Sequence, residues 1–544
     1  MSFENRFAAT RPAGSVPRVT LSSRARWLIV ALALAIPLGF AAFTGHAWED
    51  YFITLRASRN LVEGHGLVFN VGERVHTFTS PLGVLVPALC TALAGANHEE
   101  LALWYYRVLN AGVLALAAWL VWRRADTLRL GGIGRGLLFG LLLADAKLTD
   151  FSINGMETAL LVFFTLLLWS ELEAPDGPRA TRLAIAFGGL MWTRPDAFIL
   201  AGAITLPHFI FSTRSNPAPR APWAAVIRGA LLGGLIYLPW FAWAWWYYGT
   251  PVPHTIIAKG AVTPPAHLAQ LLLVPWRVLS ESGQLFLPTY SKFGGWPPAL
   301  DHLAHALSVI ASFAWLIPRW SPAGRRASLA VFLGTFYLNS IIAFPWYVPP
   351  WTALAAIALG CGWDAVANAK NFPAGRALAR VTCLVIVLVQ AAVLCGVAWQ
   401  MRVEQRLVET GVRRPIGEWL QAHAAPGDTV FLEPLGYIGY YSQLKTYDFP
   451  GLSSPEVVAA IRSGATDYSS VITRLQPRWL VLRPFEIHNM GFSPLRPLDR
   501  YEVAQSWSAK AQLDAVGLLP GRRWCEWESE YVVFHLRPAA PREN

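Results

Sequence analysis

Trp48-Glu49-Asp50-Tyr51 closes the first long apolar run of the chain, Trp27 to Phe43, with two adjacent carboxylates. Charged side chains at the end of such a run are costly within lipid and are tolerated where they face water or a polar cavity. Two readings compete for this pair. Acidic residues favour a helix N-terminus, where they meet the positive end of the helix dipole. The same two carboxylates also suit acid–base catalysis at a membrane boundary, and the rest of the sequence shifts the balance toward that reading.

The 544 residues are 54% hydrophobic and only 15% charged. A mean hydropathy of +0.37 is too apolar for a soluble chain of this size. The charges collect in loops and in the last part of the chain, which marks a mostly α-helical, polytopic membrane protein with a soluble tail. The net charge of +11 calls for no nucleic-acid partner, because arginine clusters beside apolar runs mark cytoplasmic loops. Of the five cysteines, Cys90, Cys361, Cys383 and Cys395 lie in apolar segments and Cys525 in the tail. Their spacing offers neither a metal site nor a disulfide framework.

Outward from Trp48, the chain divides into three parts. Residues 1–26 form a leader carrying Arg6, Arg11, Arg18, Arg24 and Arg26, expected in the cytoplasm and uncleaved. Residues 27–401 form the membrane domain, with about 11 spans by the length and basic-flank rules. Residues 402–544 read as an external α/β domain, with a helix at Gly417–His423 and strands at Thr429–Glu433, Arg478–Leu482 and Tyr531–Leu536. Two external loops, 45–80 and 247–300, interrupt the membrane domain. In the first, Asp50–Val62 predicts a short helix on the membrane surface, with Tyr51, Phe52, Leu55 and Val62 toward lipid and Gly64-His65-Gly66 as its stop. Pro81–Leu93 is apolar but too short to span comfortably. With this topology Glu49, Asp50, Lys147, Glu157, Arg194, Asp196, His254 and Lys259 all fall on the external face, where nucleotide sugars and ATP are absent. The chain has no Walker loop, no dinucleotide-binding glycine pattern and no nucleophile elbow.

Several stretches are similar to one family. Glu49-Asp50-Tyr51-Phe52-Ile53-Thr54-Leu55-Arg56, Asn60-Leu61-Val62-Glu63-Gly64-His65-Gly66-Leu67-Val68-Phe69-Asn70-Val71-Gly72-Glu73-Arg74-Val75 and Thr79-Ser80-Pro81-Leu82 make up the most specific part. Asn154-Gly155-Met156-Glu157-Thr158, Thr193-Arg194-Pro195-Asp196, Tyr248-Gly249-Thr250-Pro251-Val252-Pro253-His254-Thr255 with Ala258-Lys259, Pro345-Trp346-Tyr347 and Gly436-Tyr437-Ile438-Gly439-Tyr440 agree with it. Together they resemble the C-type (GT-C fold) glycosyltransferases, in particular the mycobacterial terminal β-arabinofuranosyltransferase and its relatives. The chain departs from that pattern at His76-Thr77, where an acidic residue and a glycine are expected, and at His254, where asparagine is expected.

The resemblance implies a multi-pass enzyme of the bacterial inner membrane. It would transfer a sugar from a polyprenyl-phosphate donor to a cell-envelope glycan or glycolipid acceptor on the external face. A lipid phosphate is already a fair leaving group, so such a site needs a base for the acceptor hydroxyl and cations for the phosphate. By its place in the family motif Asp50 is the expected base, with Glu49 supporting. Arg56, Arg194 and Lys259 are the candidates for the phosphate, although Arg194 would equally serve as a turn residue paired with Asp196, and Lys259 would equally snorkel at the interface. Glu157 suits sugar hydroxyls or a helix start. His65, His76 and His254 are expected to line the cavity, and Trp346 and Tyr347 at its rim suit sugar stacking. No metal ligand set is legible, and a divalent cation is left open as a cofactor. Two other readings stay open. A transporter or flippase of lipid-linked saccharides predicts midplane charges and an internal repeat, neither of which is seen, and a non-catalytic envelope assembly protein of the same fold would carry the same motifs.

Overall fold

The computed structural model describes residues 23–211, 222–263, 267–280, 285–341 and 343–538, so most of the leader lies outside the described residues. α1 (Ser23–Thr44) is uninterrupted by charge after its first turn and packs against α4 (Glu99–Thr127). Between them the chain makes α2 (Glu49–Val62) and α3 (Pro81–Ala94). Gly64 and Gly66, both at positive φ, end α2 where the sequence places its stop.

Among the described residues five helices are long and apolar enough to cross a membrane: Ser23–Thr44, Glu99–Thr127, Trp223–Tyr248, Pro298–Leu316 and Gly375–His423. α6 (Ala146–Ile153) and α7 (Thr158–Leu172) pass the same test as a pair bent by 119°. α3, α5 (Gly132–Ala144) and α9 (Ala197–Ile210) are apolar but shorter. Such segments reach about 20 Å at 1.5 Å per residue, against a hydrocarbon core of about 30 Å, so only some of the expected crossings have full length. α8 (Ala180–Thr193) lies along α10 (Pro222–Tyr248) through small residues, Gly188 against Ile236 and Gly233 against Phe187. α11 (His254–Val262) follows in the second loop.

The last long helix does not stop where its apolar stretch ends. Gly375–Glu404 continues through a π-helical segment, Gln405–Arg413, into Arg414–His423 and so carries the chain into the tail. There a five-stranded sheet has the order β2-β1-β3-β5-β4. β1 (Thr429–Leu432), β2 (Lys445–Asp448) and β3 (Trp479–Leu482) are parallel. β5 (Glu530–Leu536) and the edge strand β4 (Tyr501–Ser508) are antiparallel. β1 and β3 are apolar runs because both sheet faces are covered: Ile416, Leu420 and Ile438 pack on one, Val457, Ile461, Val471 and Ile472 on the other.

α2 differs from its expected place. Tyr51, Phe52 and Leu55 are not turned to lipid; they are buried with Tyr106, Tyr437 and Tyr440, and Phe52 lies 4.0 Å from the Tyr437 ring. The cover comes from the tail helix Gly436–Ser442, which sits on α2 and replaces lipid as its apolar partner. Two glycines make room for α2, Gly155 between α6 and α7 and Gly436 in the tail helix. At Gly155, with φ +106°, a Cβ would run into the Tyr51 ring, and at Gly436 it would run into the Glu49 backbone carbonyl.

Gly436 does not have the positive φ that only glycine tolerates, so Gly436→Ala probes the close approach by itself. Overpacking of this kind costs about 1–3 kcal/mol. A lowered thermal midpoint for the purified variant is expected; an unchanged one would show that the tail does not rest on α2 this closely.

Candidate active site

Glu49 and Asp50 form the first turn of α2, as the helix-start reading requires, but neither is free to act only as a dipole partner. The turn is held from behind. The Trp48 amide donates to the Asn154 carbonyl at 2.8 Å. Arg107 donates to the carbonyls of Gly45, His46 and Ile153, at 3.0, 2.7 and 3.1 Å. Gln405 of the π-helical segment accepts from the Ala47 amide at 2.9 Å. On its front, Glu49 accepts a hydrogen bond from the amide of Gly436.

The two carboxyls are coupled. Burial, and then the neighbouring Asp50 charge, push Glu49 well above the usual carboxylate range. Burial also raises Asp50, but less, because the Lys259 ammonium and then a hydrogen bond with Glu49 pull it back. The two carboxyls are therefore unequal: both are raised, and Glu49 more than Asp50.

Lys259, on α11, stands over the Phe344 ring at 4.8 Å. Phe344 stacks on Trp346 at 4.7 Å, and Trp346 meets Trp48 edge-on at 5.7 Å. Trp346 is thus a buried wall behind the acid pair and does not present a free face for a sugar. Tyr347, the next residue, carries the Arg194 guanidinium at 4.2 Å. One corner, Phe344–Tyr347, so holds a cation at each end.

Those cations differ. Arg194 makes a two-pronged contact with Asp196, at 3.0 and 3.1 Å, and reaches Glu157 at 3.2 Å, while Tyr337 also donates to Asp196. Two carboxylates neutralise it, and the turn-pairing role is the one it occupies. Arg56 is also engaged elsewhere: it is buried, stacks on Phe69 at 4.2 Å and donates to the carbonyls of Gly439 at 2.8 Å and Leu444 at 3.0 Å. It fastens the tail to α2 and does not face the acid pair. Of the three expected phosphate cations, Lys259 alone has neither a carboxylate within 4.0 Å nor a carbonyl contact among the described residues.

The histidines separate too. His65 is exposed beyond the end of α2. His76 is stacked on Tyr248 at 4.6 Å, and burial pushes it down to about 3. The His254 amide donates to the His76 carbonyl at 2.8 Å, and its ring, lowered by burial, faces the backbone at Gly451 and Ser454 with Nε2 buried and unpartnered. It marks the junction of α11 with the tail. Among the described residues no group of three or more His, Cys, Asp and Glu is arranged to hold a metal ion.

Sequence reasoning missed Arg413. Its charge acts on both Glu49 and Asp50. It pairs with Glu409 at 2.6 Å and with Glu528, which Arg483 also reaches at 2.6 Å. Arg483 in turn bonds Glu486 at 2.6 Å and Glu433 at 2.8 Å. This chain of charges joins the ends of β1 and β3 to the π-helical segment behind the acid pair. The only signal for it in sequence was the Glu409/Arg413 spacing of four, which is common on solvated helices.

Arg194→Met should leave Glu157 and Asp196 without their partner. Removing one member of a buried pair costs about 3–5 kcal/mol, so a large fall in the thermal midpoint is expected, partly restored in the Glu157→Gln/Arg194→Met double variant. A single variant as stable as wild type would show that the pairing is not structural.

A domain of unknown function (DUF8728) matches residues 399–534, the end of the last long helix and the tail sheet. The chain is 30% identical over 266 residues to the terminal β-(1→2)-arabinofuranosyltransferase of Corynebacterium glutamicum, covering 43% of this chain and 37% of that one. It is 29% identical over 256 residues to the enzyme of the same name from Mycobacterium tuberculosis, covering 43% and 38%. It thus spans well under half the length of these relatives. The crystal structure of ArnT from Cupriavidus metallidurans bound to undecaprenyl phosphate superposes with a TM-score of 0.55 at 14% identity, over 96% of this chain and 100% of that one. The chain has the GT-C membrane-glycosyltransferase fold, and over the part they share it is a sequence relative of the terminal arabinofuranosyltransferases.

Proposed function

We propose that the protein is a membrane glycosyltransferase that moves a sugar from a polyprenyl-phosphate donor to a cell-envelope glycan or glycolipid on the external face, with Asp50 as general base. The observation that carries this reading is the coupled pair Glu49–Asp50 under the charge of Lys259, a cation that rests on an aromatic ring and pairs with no carboxylate among the described residues. A fold shared with ArnT, whose crystal contains undecaprenyl phosphate, supports a lipid-phosphate donor. The names of the sequence relatives make arabinofuranose the first sugar to assay.

In the proposed reaction the acceptor hydroxyl oxygen bonds to the anomeric carbon while the bond from that carbon to the phosphate oxygen breaks. The hydroxyl proton passes to Asp50. The electron pair leaves with the polyprenyl phosphate, whose charge Lys259 meets. Glu49, protonated, keeps its neighbour ionised and correctly turned by hydrogen bonding rather than by competing for the same proton.

Asp50→Asn keeps shape and removes the base, so transfer from a polyprenyl-phosphate sugar should fall by about 10²–10⁴-fold with little change in thermal midpoint. Near-normal transfer by a well-folded variant would end this reading. If Asp50 served only the helix start, its loss would cost about 0.3–1 kcal/mol and spare turnover.

The pH profile gives an independent test. A base whose pKa is raised is lost as pH falls through that raised value, so the acidic limb of kcat/KM should lie above the ordinary aspartate value of about 3.9. Lys259 holds Asp50 down, so Lys259→Gln should move that limb to higher pH as well as weaken the donor step. A limb that stays in place would separate Lys259 from Asp50.

A further inference from the structure

At the far end of α4 from the acid pair lies a cavity of charged and apolar side chains that the proposed transfer does not use. Glu99, at the start of α4, touches Tyr441 of the tail at 3.1 Å. Arg123 and Arg124 follow about 35 Å along the helix axis, roughly one bilayer away. There a cavity of about 480 Å³ opens between the end of α4 and the turn joining α7 to α8. Arg123, Arg124, Arg179 and Arg182 line it, against Glu171 and Asp176. Glu173, the next carboxylate on the turn, is engaged by Arg326 at 2.6 Å.

Arginines in a loop beside a span normally extend into water, and a basic flank alone is explained by membrane orientation. Here they converge. Arg124 is drawn across to α7, donating to the Glu173 carbonyl at 2.9 Å and to Ser170 Oγ at 3.3 Å. Arg123 lies against its own helix, 4.9 Å from the Trp119 ring. Arg182 stands 3.5 Å from Glu171 and is itself more than half exposed. The first turn of α8, which begins in this cavity, has no side-chain cap. The positive charge is thus gathered in one concave place.

The remaining wall is apolar. Trp119, Leu120, Leu167 and Ile185 line the same cavity, and Ile185 is 53% exposed on the surface of α8. A small soluble anion needs no such wall. A lipid headgroup does, because its acyl chains must leave along the helices at the same depth. Basic pockets at the ends of spans bind anionic headgroups by this combination.

We infer that this cavity binds the phosphate of an anionic membrane phospholipid, with the arginines on the headgroup and its acyl chains along Leu120 and Ile185. The site is distinct from the acid pair and does not depend on the proposed transfer.

The test uses the full chain in neutral detergent, with bound lipid counted by native mass spectrometry during titration with phosphatidylglycerol or with phosphatidylcholine of the same acyl chains. Wild type should prefer phosphatidylglycerol, and 10 mM inorganic phosphate, a concentration of our choosing, should leave that preference intact. Arg123→Gln/Arg182→Gln should weaken phosphatidylglycerol binding on the order of 10-fold or more and leave phosphatidylcholine unchanged. If the double variant does not fold, Arg123→Gln alone carries the same comparison with a smaller loss. Equal affinity of wild type for the two lipids, a preference that survives the substitutions, or displacement by inorganic phosphate (a small-anion site) would each overturn the inference.

Discussion

The contact on which the rest depends is the seat of the tail helix Gly436–Ser442 on the first turn of α2. A 14-residue helix with two carboxylates at its start has no reason to be rigid by itself. Here it is closed from above by the Gly436 amide on Glu49 and by Arg56 reaching to the Gly439 and Leu444 carbonyls. It is closed from below by Asn154 and Arg107. The same enclosure desolvates the acid pair and raises both its members, so the mechanical joint and the electrostatics of the site have one cause.

Charge is partitioned around this joint. Arg194, Arg413 and Arg483 are each surrounded by carboxylates, so their charges are compensated within the protein. Buried cations left without partners would be costly, and these three define geometry. Lys259 is different. It rests on an aromatic face, a weaker partner than a carboxylate, and faces Asp50 across the site. A cation held this way keeps capacity for an incoming anion, while its field offsets part of the rise that burial gives Asp50.

Hydropathy and turn chemistry carried much of the fold. The extent of α2, its glycine stop, the Pro345-Trp346-Tyr347 corner and three of the five tail strands were legible because they depend on local signals: a helix-start pair, positive φ and apolar runs. β2 (Lys-Thr-Tyr-Asp) and β4 were not legible. Both are edge strands, and the exposed, polar side of an edge carries no apolar run to read.

For the site, the sequence by itself determined that acidic and basic residues flank the apolar runs of a membrane protein, since that follows from composition and periodicity. Tertiary structure decided which of them act together. Arg56, Arg194 and Lys259 are equivalent as cations in a string of letters. Only the packing of α8, α9, α11 and the tail on one another directs Arg56 to backbone carbonyls, Arg194 to two carboxylates and Lys259 to Asp50. Likewise Tyr51, Phe52 and Leu55 read as lipid-facing because a buried apolar face and a lipid-facing one have the same pattern. The partner that distinguishes them lies almost four hundred residues on in the chain, at Tyr437 and Tyr440, and pattern along the sequence holds no information about contacts made across it.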